Sequence, residues 1–587
     1  MPEAVHYRVS MPRPHSHLFE VEVSFPAGPD VLDTLLPVWT PGSYLVREFS
    51  RQVQDMSASV TGGEALPVQR VDKRTWRVQA QGRPVTLRYR VYANELTVRT
   101  SHLDGSHGYF NGATLFLYTE ATRGLEHHVT VHAPEGWKTF VALERRGEAF
   151  IARDYDELVD SPFEVGPHTP LTFTAAGVPH EVVVWGDTVQ DSARLCFDLQ
   201  RICETQARMF GGLPMPRYLF LLYLTDKGRG GLEHKASTSL LFPRAGLQNA
   251  RGWEDLLTLA AHEYFHLWNI KRVKPRALVP FDYGQENYTS LLWAFEGATS
   301  YYDNLFVLRS GLMSASRYLT RLGETLTHLH ATPGRKAQTL AEASLVSWVK
   351  HYRPDEHSPN SAISYYLKGE VVAALLDLEI RRATGDVKSL DDVMRLLWQR
   401  YGDESGVPED GVEAAASEVA GRDLSAFFDR AVRTTEELDY SVFSHVGLEV
   451  HFRPRESTSD KGGVPVRTKG EARHKGWLGI TTKGSSTVAV VLEGSPAQEA
   501  GLYVEDDVVA LDGWRVDGAG LLSRCEDKSP GDTVHLTVFR RDRLVEVPVT
   551  LGQKPSEAAW LARVDKPTDA QKAAWHAWLG ASWEESG

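Results

Sequence analysis

Leu256-Leu-Thr-Leu-Ala-Ala-His262-Glu263-Tyr264-Phe265-His266-Leu-Trp-Asn-Ile-Lys-Arg272 carries two histidines four residues apart within an apolar run. On a helix, positions i and i+4 project from one face, so both imidazoles can reach one ion. Glu263 lies about 100° around the helix from His262, near such an ion but poorly placed to join it. Its carboxylate is left to take a proton from metal-bound water. Titratable side chains in so apolar a helix need a compensating partner. A third ligand is expected on a neighbouring helix, and Glu296 in Leu291-Leu-Trp-Ala-Phe-Glu-Gly-Ala-Thr-Ser-Tyr-Tyr302 is the best candidate. It falls four residues after Leu292 and three after Trp293, so it shares their apolar face. A carboxylate there is costly unless paired or metal-bound. Gly297 beside it permits close helix packing. Ligation by His262, His266 and Glu296 leaves one open position, which marks a catalytic rather than a structural zinc, with one Zn2+ expected per chain.

Outward from this stretch the pattern changes twice. Residues 1–165 read as β-rich, with alternation in Phe19-Glu-Val-Glu-Val-Ser-Phe25 and Val85-Thr-Leu-Arg-Tyr-Arg-Val91. Residues 166–445 open with a helix over Ser192–Met209, a strand over Arg217–Leu224 and a second strand over Ser237–Pro243. Helices are then predicted at Trp253–Lys271, Tyr288–Leu308, Leu340–His351, Tyr365–Thr384, Leu390–Tyr401 and Leu424–Val432. Residues 446–555 return to strands at Gly447–Arg453, Trp477–Ile480, Val488–Leu492, Asp507–Leu511 and Val534–Phe539. Glu456–Lys475 between them is polar and reads as an exposed loop. Residues 556–587 carry Trp560, Trp575, Trp578 and Trp583, too aromatic for a free tail, and are expected to pack on the body of the protein.

A chain of 587 residues exceeds one hydrophobic core, which agrees with several domains. A net charge of −13 disfavours nucleic acid, whose phosphates demand a basic face, but tolerates a cationic substrate such as a peptide amine. No apolar run approaches the roughly 20 residues of a membrane helix. The opening Met-Pro-Glu-Ala-Val-His-Tyr has neither a basic nor an apolar export region. Cys196 and Cys203 lie about 10 Å apart along one predicted helix, too far to bridge. With Cys525 they read as buried thiols, so a cytoplasmic location is expected.

The histidine motif, the Glu-Gly on a second helix and a Tyr-x-Lys-Gly element together resemble the gluzincin aminopeptidases. His262-Glu-Tyr-Phe-His-Leu-Trp-Asn-Ile-Lys-Arg272 is more closely similar to the glycyl aminopeptidase family, peptidase family M61. Pro37-Val-Trp-Thr-Pro-Gly-Ser-Tyr44, Gly230-Gly-Leu-Glu-His-Lys-Ala-Ser237 and Ser364-Tyr-Tyr-Leu-Lys-Gly369 extend that resemblance over nearly the whole chain. The separation of His266 and Glu296 exceeds that in the larger alanyl aminopeptidase family. The fold so implied is multidomain α+β. It comprises an N-terminal β-sandwich-like domain, a thermolysin-like, mainly α catalytic domain with a small sheet, and a C-terminal PDZ-like domain. The last rests on Trp477-Leu-Gly-Ile480, Gly494-Ser-Pro-Ala497, Ala500-Gly-Leu502 and Asp506-Asp-Val-Val-Ala-Leu-Asp-Gly513.

The resemblance also implies roles. Glu233 follows strand Arg217–Leu224 through a glycine-rich turn from Gly228 to Gly231. Glycines such as Gly230 and Gly231 let a backbone approach a ligand, and an edge strand can pair with an extended peptide. Glu233 would bind the substrate's terminal ammonium. Related enzymes carry Gly-x-Met-Glu-Asn there, whereas this chain has Leu232 and His234. Tyr366 would stabilise the oxyanion, with Tyr365 as an adjacent rival; Lys368 and Gly369 receive no chemical role. The expected function is removal of N-terminal residues, small ones such as Gly or Ala, from peptides with a free amine. A PDZ-guided zinc endopeptidase, a catalytically dead peptide-binding scaffold and a hydrolase of non-peptide substrates such as epoxides are the alternatives. Peptide C-termini are a second expected partner, at the PDZ-like domain.

Overall fold

Period-two alternation places every second side chain on one face of a sheet. In the computed structural model, which describes residues 3–187, 189, 191–466, 475–484 and 486–584, strand Leu18–Phe25 buries Phe19, Val21, Val23 and Phe25. It pairs antiparallel with Ala4–Ser10 and with Val85–Tyr92 in an eight-stranded sheet. A four-stranded and a three-stranded sheet share its core, where Leu87, Phe110, Phe163 and Trp76 are buried together.

The chain divides into two compact units. The first is Met1–Thr289, Tyr302–Met313 and Met394–Glu409; the second is Ser290–Tyr301, Ser314–Val393 and Asp410–Gly587. The first unit adds a five-stranded sheet to the β-rich region. Its strand Tyr218–Thr225 is buried at every position and lies between parallel neighbours Val178–Trp185 and Ser237–Pro243. A continuous apolar run is what a strand covered on both faces requires. Helix Ser192–Phe210 falls between the first two strands and makes their crossover. The stretch expected as a glycine-rich turn is partly a strand: Gly230–Glu233 pairs antiparallel with Ser237–Pro243 and forms the sheet's edge.

The helix expected over Trp253–Lys271 is Ala250–Phe265, capped by Asn249, whose side chain accepts from the Gly252 amide at 2.9 Å. It stops because the Leu267 and Trp268 amides turn back to the Tyr264 and Phe265 carbonyls, and Ile270 adopts φ 92°.

Trp293–Gly297 forms a π-helical turn that leads into helix Ala298–Arg309 where a helix over Tyr288–Leu308 was expected. Helix Tyr365–Thr384 has its predicted bounds, with Ser364 at its start and Gly385 in the left-handed conformation at its end. The helix expected over Leu340–His351 is shorter, Leu340–Leu345. Ser425–Phe428 is α-helical and continues as a π-helical turn, Asp429–Arg433, where one helix over Leu424–Val432 was expected. Helices Ala315–His330 and Gly411–Ala420 were not anticipated. The C-terminal region holds a sheet with strand order Ile480–Lys483, Thr487–Val491, Asp507–Leu511, Thr533–Arg540 and Arg543–Thr550. Trp477–Ile480 is interrupted by Gly479 at φ 82° rather than forming one strand. Asn360 holds this region from outside, donating to the Val491 carbonyl at 2.8 Å and accepting from the Glu493 amide at 2.9 Å.

Of the loop expected over Glu456–Lys475, residues 467–474 lie outside the described residues. Its first part is not free of the body. The Gly463 amide donates to the Ala559 carbonyl at 2.7 Å, and a Cβ at Gly463 would crowd helix Ala315–His330 at Thr320. The tryptophan-rich tail forms strand Ser556–Arg563, paired with Leu448–Pro454, and helix Asp569–Leu579. Trp578 is fully buried against Tyr318 and Phe443, and its Nε1 donates to the Tyr301 hydroxyl at 2.9 Å. Trp578→Ala should therefore cost roughly 3–5 kcal/mol, the range for emptying a large aromatic site. Denaturant unfolding of the variant measures this, and an unchanged midpoint would refute the docking. No helix among the described residues is long and apolar enough to cross a membrane.

Candidate active site

The end of helix Ala250–Phe265 presents both histidines of the motif. Their rings lie 4.8 Å apart at 85°. His266, the C-cap residue, donates from Nδ1 to the Asn269 carbonyl at 2.8 Å. His262 Nδ1 meets Asp303 Oδ2 at 3.2 Å. Engagement of Nδ1 fixes the tautomer and directs Nε2 to a metal, the arrangement that ligating histidines use. His262, His266 and Glu296 make up a candidate His/His/Glu metal-binding group. Two imidazoles and a carboxylate, with no thiolate, suit Zn2+. The residues present therefore fit the ion.

Two carboxylates join the histidines in the first unit. Glu233, Glu263 and His266 are all buried, with ligand atoms within 4.8 Å of one another. The edge strand reaches Glu263 because it carries glycine: a Cβ at Gly231 would overlap the Glu263 carboxylate. Gly230 precedes it, and Arg99 donates to the Gly231 carbonyl at 3.4 Å. A Cβ at Gly42 would overlap the Glu233 carboxylate, and Gly42 also holds φ 89°, which favours glycine. The Pro37–Tyr44 segment thus closes over Glu233. Glu233 is 3% exposed, and its Oε1 has no hydrogen-bond partner among the described residues. A buried carboxylate in that state calls for a cation.

The rest of the edge-strand motif is structural. His234 Nδ1 lies 3.3 Å from Asp160 Oδ1, the Lys235 amide donates to Asp160 Oδ2 at 2.7 Å, and Lys271 Nζ pairs with Asp160 at 2.5 Å. Burial alone would raise the Asp160 pKa, but Lys271 and His234 hold it well below the usual carboxylate range. His234 and Lys271, from two separate motifs, thus anchor the strand end that carries Glu233.

In the second unit Glu296 sits in the π-helical turn, 2% exposed. Such turns alter which side chains face inward. Gly297 packs on Gly369: a Cβ on either glycine would strike the other's backbone, which gives Gly369 a packing role. Lys368 is buried too, and burial pushes its ammonium down to about 8. Tyr366 is part-exposed whereas Tyr365 is fully buried. Both hydroxyls meet that of Tyr352, at 3.2 Å and 3.1 Å. Burial first, then the Glu296 charge, pushes the Tyr366 pKa well up, so its hydroxyl keeps its proton. The His351 ring lies 5.6 Å from that of Tyr366, tilted by 34°, and burial lowers the His351 pKa against the opposing pull of Glu296.

Sequence reasoning missed Asp303, Asn269, Gly42, Tyr352 and His351. Asp303 was findable as a carboxylate one residue past Tyr302 on the Glu296 helix. Gly42 lay in a quoted motif without a role.

A glutamate between two helix-borne, Nδ1-anchored histidines, with a carboxylate as third donor, defines a zinc metallopeptidase. Residues 6–167 match the Peptidase M61 N-terminal domain, residues 255–372 the M61 glycyl aminopeptidase and residues 476–551 a PDZ domain. A crystal structure described as an aminopeptidase N family protein from Idiomarina loihiensis is 33% identical with a TM-score of 0.92, covering 98% of this chain and 100% of that one. The chain belongs to the M61 glycyl aminopeptidase family. The M1 zinc metallopeptidase from Deinococcus radiodurans is far more distant, 14% identical with a TM-score of 0.47 over 75% of this chain and 95% of that one. Among curated proteins, a probable periplasmic serine endoprotease DegP-like from Chlamydia pneumoniae is 38% identical over 71 residues, 12% of this chain. Its counterpart from Chlamydia muridarum is 41% identical over 68 residues, 11% of this chain. The chain spans 14% of the length of each of these two curated relatives.

Proposed function

We propose that this chain is an aminopeptidase that removes N-terminal residues, small ones such as Gly or Ala, from peptides with a free amine. The observation that carries the reading is Glu233, a buried carboxylate whose Oε1 has no hydrogen-bond partner among the described residues, beside the Glu263 and His266 side chains. His262, His266 and Glu296 would hold one Zn2+, which when bound acts as a Lewis acid on the scissile carbonyl. Glu263 takes a proton from the attacking water and passes it to the leaving amine. Glu233 receives the substrate ammonium and so fixes which peptide bond lies over Glu263. The edge strand Gly230–Glu233 offers backbone groups to an extended peptide, and Gly230 and Gly231 keep that approach open. Tyr366, neutral and part-exposed, donates its hydroxyl to the developing oxyanion. Tyr365, fully buried, serves the core.

The edge strand Ile480–Lys483 of the PDZ region supports capture of peptide C-termini. Cys196, Cys203 and Cys525 are free thiols, which supports a cytoplasmic location.

The test assays matched free-amine and N-acetylated peptides, with metal content measured on the same sample. About one Zn2+ per chain and cleavage confined to free-amine peptides are expected. His262→Ala should abolish both. Equal cleavage of both peptide types would make the chain an endopeptidase; zinc without cleavage of either would make it a scaffold.

A further inference from the structure

In the β-rich region, strands Ser101–Leu103 and Gly108–Phe110 pair as a hairpin whose short turn gathers His102, Asp104 and His107. Ligand atoms of these three lie within 4.8 Å of one another. His107 is fully buried, with its ring stacked on the Trp185 indole at 4.0 Å and 19°. Its Nδ1 donates to Glu164 Oε1 at 3.0 Å. Glu164 is itself 1% exposed and is held by His168 at 2.6 Å and by the Tyr223 hydroxyl at 3.1 Å. That network accounts for one nitrogen of His107. The other, Nε2, is buried with no hydrogen-bond partner among the described residues. A buried ring nitrogen left without a partner is costly in a folded protein, and an ion on the His107 Nε2 lone pair would satisfy it.

Asp104 supplies the negative charge. Its Oδ1 is committed to the Ser106 amide at 2.7 Å, the Ser106 hydroxyl at 2.6 Å and the His107 amide at 3.2 Å. Its Oδ2 faces His102 Nε2 at 3.2 Å. We propose that His102, Asp104 and His107 form a second metal site that takes one imidazole-preferring divalent ion of the Zn2+ class and pins the hairpin turn. Two imidazoles and one carboxylate favour such an ion over Mg2+ or Ca2+. Glu164 stands behind His107 as the carboxylate that orients a ligating imidazole, and His168 and Tyr223 hold Glu164 in turn. None of these residues belongs to the proposed catalytic set.

The experiment uses the full-length chain carrying His262→Ala and His266→Ala, stripped with a chelator and titrated with Zn2+ and with Co2+. Bound metal is measured by mass spectrometry and the cobalt complex by its visible absorption. The expected result is about one ion per chain, although the proposed catalytic ligands are gone. Adding His102→Gln or Asp104→Asn should remove that ion, and Glu164→Gln should weaken binding about 10- to 100-fold. Absence of any ion in the double variant at micromolar free metal would overturn the proposal, whether or not the further variants fold. Loss with His168→Gln but not with His102→Gln would overturn the assignment to the hairpin and move the ion to His107, Glu164 and His168.

Discussion

Glu263→Gln should retain the metal and lose about 10²-fold or more in turnover, the range for a missing general base. The variant is informative because of what surrounds the side chain. Glu263 is 5% exposed and lies where Gly231 has no Cβ, so the site has room for an isostere and little for anything larger. Glutamine preserves that volume and the helix, but its amide cannot accept the proton of the attacking water. His262 and His266 remain anchored through Asp303 and Asn269, contacts the substitution does not touch. Binding of the ion should therefore be separable from proton transfer. Steady-state kinetics with metal analysis on the same sample checks this. Near-normal turnover would mean that another group is the base; loss of metal would mean that Glu263 shapes the ligand set.

Features set by nearby residues were the ones the sequence disclosed. His262 and His266 share a helix face whatever lies beyond it. Helix Tyr365–Thr384 begins at a serine cap and ends at a left-handed glycine, both local signals, so its bounds match the prediction. Strand Tyr218–Thr225 was readable because an apolar run of that length fits a strand covered on both faces. What was not legible depends on residues distant in the chain or on local backbone turns that composition does not announce. Helix Ala250–Phe265 stops early because carbonyls of its last turn accept from amides beyond it, while the apolar pattern runs on through Leu267 and Trp268. The π-helical turn at Trp293–Gly297 looks like ordinary helix in composition; the close pass of Gly369 against Gly297 there is tertiary. Helix Ala315–His330 carries an amphipathic period of its own and a capping Ser314, so its signal is local and present in the sequence. Gly42 and Glu233 are far apart in the chain, and only their contact explains why a turn in the β-rich region must be glycine.

The same contact sets the last expectation, that Glu233→Gln converts a selective aminopeptidase into a poor and less selective one. Glu233 is enclosed by the Gly42 turn and the edge strand, and its Oε1 lacks a partner among the described residues. An ammonium placed there would form a charge-assisted hydrogen bond worth roughly 1.5–3 kcal/mol. Its loss should lower kcat/KM for free-amine peptides by about 10- to 150-fold. N-acetylated peptides carry no charge for Glu233 to pair with, so whatever slow cleavage they undergo should barely change. Glutamine keeps the shape that Gly42 packs against, so the substitution removes charge and leaves packing in place. The strand end should also hold, because Asp160, His234 and Lys271 anchor it independently of Glu233. A fall of equal size for both peptide types would assign Glu233 to the fold or the metal rather than to the amine. Wild-type cleavage of acetylated peptides as fast as free ones would remove the aminopeptidase reading altogether, since no terminal charge would then be read at the site.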